Sequence, residues 1–356
     1  MKKIIFFPTL ALIAHLLVAC GSTTGGTETG NAGPETVAPA MGNSIDAVSD
    51  LGADNASFTA QLFLRNPPHA FSFARLWSNM GAAYAVTDSS GCTESDANVT
   101  TTIDCNDTTH SSRIAQDFGS SGCDAGNNIT VTGAKYTQWN NMGNTSCVSS
   151  STRPRFFEAV RGSGATQILS TSPITGTSCD TPSTSIARHF SDGATLSIAR
   201  CVALAYTNFS SSATARTLTE TLNIGSENRI RVASDGTTQY SHSISTPTPL
   251  SITMTKTTAQ DFPVRTISAG SVRLVHNLAA FTVTSTFTDV KYDYNVCRCQ
   301  PISGSMAVAV VDNRTGATLG TGTITFTAET TGTCDSLTAT YKGAAVTPTV
   351  GSCRGL

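Results

Sequence analysis

The sequence predicts a mainly β protein: a large twisted antiparallel sheet, arranged as a sandwich or half-barrel, behind a short N-terminal helical region. Three observations lead there. From Ile129 to the C-terminus apolar residues recur with period two, which sends alternate side chains to opposite faces of a strand. Clusters of Gly, Asp, Asn and Pro punctuate that pattern as hairpin turns do. Only 13% of the 356 residues are charged, the net charge is −2, and Ser, Thr, Gly and Asn abound, a profile commoner in exported β-proteins than in cytosolic enzymes. No basic stripe exists to release counterions from phosphates, which argues against nucleic acid as a partner.

The chain opens on Met1-Lys2-Lys3 and the apolar run Ile4 to Val18, broken only by Pro8, Thr9 and His15. That run is too short for a secure membrane span and has the length of a signal-peptide core. Leu17-Val18-Ala19-Cys20 closes it. This ending resembles the lipobox of bacterial lipoprotein signals, Leu-x-(Ala/Gly)-Cys. The resemblance implies that residues 1–19 are cleaved off and that Cys20 receives a thioether-linked diacylglyceride and an acylated amino group. It also implies an outer-membrane destination, facing the periplasm or the cell surface, because Gly21 and not Asp follows the cysteine. One acyl chain anchors only marginally, so several on one residue hold durably.

Residues 20–43 read as the lipidated cysteine and a disordered tether. The stretch has no aromatic residue and two glutamates, and such a composition buries too little surface to offset chain entropy. A flexible chain of some twenty residues would hold the fold roughly 25 Å from the membrane. Residues 44–356 read as a single disulfide-bonded β-rich domain with a helical lead over 44–86. In that lead Ile45, Val48 and Leu51 have helical spacing, Asn66-Pro67-Pro68 interrupts, and Phe71, Ala74, Leu76, Trp77, Met80 and Tyr84 form a dense second stretch.

Ten cysteines remain beside Cys20: Cys92, Cys105, Cys123, Cys147, Cys179, Cys201, Cys297, Cys299, Cys334 and Cys353. An even number in an oxidising compartment reads as five disulfides. Ten cysteines allow about 945 pairings, and local closure would join Cys92 to Cys105, Cys123 to Cys147 and Cys179 to Cys201, with the last four paired among themselves. Zinc is the competing reading at Cys297-Arg298-Cys299, but neither a second cysteine pair nor a nearby histidine completes a tetrahedral set.

Between Thr87 and Asn128, Asp88, Glu94, Asp96, Asp104, Asp107, Asp117 and Asp124 face a single base, Arg113, which reads as an acidic, stapled loop region. The spacing is not that of a calcium-binding EF-hand. Strands follow at Ile129–Val131, Arg155–Val160 and Thr166–Leu169. A hairpin over Ser185–Tyr206 turns at Ser191-Asp192-Gly193, and strands Thr217–Ile224 and Arg229–Ala233 precede a turn at Asp235-Gly236. Ser271–Val296 is one long strand or two meeting near Asn277. Further strands are expected at Met306–Val311, Thr323–Ala328, Leu337–Tyr341 and Val346–Val350.

The order Cys299-x-Pro301-x-Ser303-Gly304, strand, Cys334-Asp335, strand, Gly343 resembles the C-terminal sheet of uncharacterised exported lipoproteins over about 55 residues. That resemblance implies a Cys299–Cys334 bridge and no activity.

No catalytic, metal or cofactor signature emerges. Gly-x-Ser-x-Gly is absent, and Gly351-Ser-Cys353-Arg-Gly355 has no helix to follow it. The histidines left after signal removal, His69, His110, His189, His242 and His276, form no His-Glu-x-x-His. His276 shares a strand face with Leu274 and Leu278, as a hydrogen-bonded structural histidine or a base in a pocket. Glu158 and Glu220 are strand carboxylates of the kind glycoside chemistry uses. The sequence therefore points to a lipid-anchored envelope or surface protein with a non-enzymatic binding or structural role and a protein or glycan partner. The alternatives are an exported hydrolase of envelope polysaccharide or esters and a carrier of lipid or another apolar ligand.

Overall fold

In the computed structural model the described residues are 32–48, 100–106, 111–124, 129–140, 165–174, 186–212, 214–257, 263–293, 295–297, 300–327 and 337–348. They are mainly β, as the sequence predicts: one helix and a large open antiparallel sheet.

The helix, α1, spans 34–48. The Gly33 carbonyl accepts the Thr36 and Val37 amides, and the Thr36 hydroxyl donates to the same oxygen at 3.0 Å. Pro34 fills the first helical position, where no amide is needed, and Glu35 meets the positive end of the helix dipole. Val37, Ala40, Met41, Ser44, Ile45 and Val48 repeat every three or four residues and are each 0% exposed. The Ser44 hydroxyl donates to the Ala40 carbonyl at 3.1 Å, so its burial leaves no donor unmet.

This corrects the expected tether: residues 34–43 are helical, and Val37, Ala40 and Met41 lie within the main core. A helix of this length is marginal alone in water and forms because a sheet supplies its apolar partner, which composition does not reveal. Of the expected helical lead, 44–48 is helix, and 49–86 lies outside the described residues.

The sheet runs β1 (Thr100–Asn106), β2 (Ser111–Asp117), β5 (Ala134–Asn140), β6 (Ala165–Ser170), β8 (Thr195–Ser211), β9 (Ala215–Val232), β10 (Thr238–Thr257), β11 (Val264–His276), β12 (Phe281–Asp293), β13 (Ser303–Asp312), β14 (Thr318–Phe326), β15 (Leu337–Tyr341), β16 (Ala344–Val346). A side branch of β3 (Cys123–Asp124), β4 (Thr130–Thr132) and β7 (Ile186–His189) joins at β8. There β7 pairs with Thr195–Ile198 and β6 with Cys201–Tyr206. From β8 onward every strand pairs with the next in sequence, a pure meander.

One face of the meander is apolar. Leu204, Leu222, Leu250, Ile252, Leu274, Val283, Val310 and Ile324 are each 0% exposed and share a cluster with α1. The other face carries hydroxyls. Thr207, Thr219, Thr253 and Thr266 lie in register across β8–β11.

Irregularities line up across the same four strands. The β8–β9 register shifts between Cys201 and Val202, the β9–β10 register between Ile244 and Leu250, and the β10–β11 register between Ser245 and Ser251. Pro247 and Pro249 fall inside this row, where a bulge removes the need for ladder amides. The Thr246 hydroxyl bridges the gap, accepting the Ile224 amide at 2.8 Å and donating to Asn223 Oδ1 at 2.8 Å. Gly270, at φ +117°, faces the bulge; a Cβ there would sit 2.5 Å from the Pro249 carbonyl oxygen. The row divides β8–β11 into two ends, each with its own buried polar group.

The hairpin turns follow the sequence. Asp192, Asp235 and Asp312 each accept a backbone amide two residues on. Three expectations change. The acidic stretch forms the β1–β2 hairpin and β3 where described. Thr217–Ile224 and Arg229–Ala233 belong to one strand, β9, bulged at Gly225. The last described strand is Ala344–Val346, and 349–350 of the expected strand lie outside the described residues. Ser271–Val296 resolves as β11 and β12, joined by a turn over 277–280.

Candidate functional site

The polar group at the turn end of β9–β11 is the most unusual site among the described residues. Arg229 on β9 pairs with His242 on β10, His242 with His276 on β11, and His276 with Phe281 on β12. Alternation puts all four on the apolar face, because each continues the odd or even series of buried residues on its strand. His242 is 1% exposed. Its ring stacks on Tyr240 at 4.6 Å and 10° and meets His276 edge-on at 4.8 Å and 72°. The His276 ring lies 5.0 Å from that of Phe281.

The two histidines differ in their hydrogen bonds. His276 Nδ1 accepts the Ala279 amide at 3.2 Å, so the neutral ring carries its proton on Nε2. Among the described residues neither ring nitrogen of His242 has a hydrogen-bond partner. Burial, then the proximity of His276, then Arg229, hold the His242 pKa down to about 3. Burial likewise lowers that of His276, opposed by its backbone hydrogen bond. Arg229 Nε donates to Glu227 Oε1, and these residues are 3% and 1% exposed. The result is a buried His242 ring, with the half-buried His276 ring against its edge, beside a buried ion pair.

The other end holds a more conventional arrangement. Arg265 Nη2 donates to Glu220 Oε1 at 3.1 Å, and both side chains are nearly wholly buried. Arg265 Nη1 also reaches the Val48 carbonyl at 3.5 Å, so this cation meets the negative end of α1. Glu220 is thus an ion-pair partner at the helix–sheet junction, placed where no solvent reaches it. Glu158 lies outside the described residues.

His276 lies beside Leu274's strand face as expected, whereas Leu278 sits in the turn and is 56% exposed. His189 is exposed, with its ring nitrogens 3.2 Å from the Thr132 hydroxyl and 3.4 Å from that of Thr195. His69, His110, Gly351 and Cys353 lie outside the described residues. Among the described residues no group of three His, Cys, Asp or Glu could hold a metal ion.

Cys123, Cys201 and Cys297 are disulfide-bonded and 3%, 0% and 1% exposed. Cys20, Cys92, Cys147, Cys179, Cys299, Cys334 and Cys353 lie outside the described residues, and of Cys105 only the β1 backbone is described. No described helix is long and apolar enough to cross a membrane.

Sequence reasoning missed His242 because β10 was not expected: its Ser, Thr and Pro content hides it. The usable signal was the alternation Tyr240, His242, Ile244, resumed at Leu250, Ile252 and Met254. No known protein family, curated protein or solved structure matches the chain.

Proposed function

We propose that the chain is a lipid-anchored envelope or surface protein, held through Cys20, whose sheet serves a non-enzymatic binding or structural role. The observation that supports this best is the position of α1. It begins at residue 34, with thirteen residues between it and Cys20, and is buried against the sheet. Tension on such an anchor falls on the core. The face opposite α1 is broad and rich in hydroxyls, suited to hydrogen bonding with a glycan or another protein.

The filled apolar face favours this reading over a lipid carrier. Where a carrier needs an open apolar groove, α1 and side chains of 0% exposure occupy the described one.

Radiolabelled palmitate and membrane fractionation test the anchor. Wild-type protein should carry label and sediment with membranes, whereas Cys20→Ser should carry none and leave the membrane fraction. A Cys20→Ser protein that stayed acylated and membrane-bound would refute it.

A further inference from the structure

We propose that His242 and His276, set in one cross-strand row with Arg229, form an acid-opened latch that closes the turn end of β9–β11 at neutral pH and releases it on protonation. The geometry supplies the reason. His242 lies between two groups that are or become positive, Arg229 on β9 and His276 on β11. Tyr240 on its own strand and Phe281 on β12 add rings and no charge. In the adjoining row Glu227, flanked by Arg200 on β8, is already engaged by Arg229. Arg231 pairs with Tyr240 one row outward, and Asp312, beside Phe281, is bonded to the Arg314 and Thr315 amides.

Among the described residues neither His242 nitrogen is bonded to an acceptor in the closed arrangement, so a proton there adds a second charge beside Arg229. A proton on His276 adds a third to the same row.

The direction follows from linkage. Both histidines have pKa values lowered in the closed form, to about 3 for His242, against 6.5 when exposed. The open form binds more protons as pH falls below 6.5, for His242 down to about 3, so closure is held above 6.5 and weakens below it. His242 can shift the opening equilibrium up to about tenfold per pH unit in that window, and His276 adds to the shift in the same direction.

Opening is local because the row of bulges separates this end from the Arg265–Glu220 end. What ties the turn 277–280 down is mainly polar and exposed: the Asn277 amide to the Ser241 carbonyl at 2.9 Å, and Asn277 Nδ2 to the Ser241 and Ser243 hydroxyls at 3.1 and 3.3 Å. Segments held this way open at lower free energy than a packed core.

Hydrogen exchange by mass spectrometry on the full chain, corrected for intrinsic rates, tests the latch. Between about pH 7 and pH 5, protection over 229–243 and 273–283 should fall by at least tenfold, while 304–310 and 322–326 keep theirs. His242→Phe, which preserves the stack and cannot titrate, should abolish most of that loss. His276→Asn is the second variant: its Oδ1 stands where Nδ1 accepts the Ala279 amide, so the turn keeps its bond while one proton site disappears. It should reduce the loss. Equal protection at both pH values, a loss spread evenly over all four segments, or an undiminished loss in the variants that fold would each overturn the proposal.

Discussion

Two buried polar groups on the same sheet face show how residue chemistry depends on surroundings. Glu220 and Arg265 neutralise each other at 3.1 Å, and the arginine also meets a helix carbonyl, so both charges are matched. His242 stays neutral instead, because burial beside Arg229 disfavours its cation. These two solutions predict different mutational behaviour. Glu220→Gln strands the Arg265 charge and should lower stability by about 3 to 5 kcal/mol, read from the urea midpoint. Replacing both with apolar residues, Glu220→Leu with Arg265→Met, should cost far less, since a paired buried charge is worth little more than a packed hydrophobe. Equal losses in the single and double variants would contradict the ion-pair account.

Among elements, α1 and β10 were the least legible and the turns the most. Asp192-Gly193 and Asp235-Gly236 declare themselves locally, since a side-chain carboxylate beside a glycine bends the backbone without distant help. In α1 the stripe Val37, Met41, Ile45, Val48 is present in the sequence, but it is diluted by Gly, Pro and Thr and gains meaning only against a sheet. β10 hides for the opposite reason. Its Pro247 and Pro249 look like strand breakers, yet they sit in a bulge that does not use their missing amides. Because α1 is 0% exposed at Ile45, Ile45→Ala should cost about 2 to 5 kcal/mol in chemical denaturation, as core truncations do. A surface-like loss below about 0.5 kcal/mol would mean that α1 is not part of the core.

Among the described residues, neighbours in space are neighbours in sequence from β8 to β16, and the β3–β4–β7 branch joins at β8. A wide open sheet of this kind has little to fix its edges except covalent bridges and the packing of α1. If ten cysteines form five bridges, denatured and unreduced protein should show no more than one free thiol per chain by titration. A larger number would break the five-bridge framework. The even cysteine count, the β class and the aspartate turns were determined by the sequence alone, because each rests on composition or on a few adjacent residues. Which residues the sheet buries together was decided only by tertiary structure. Arg229, His242 and His276 are brought into one row by strand register across three chain segments, and register depends on bulges and on the helix beneath, neither of which any local pattern encodes.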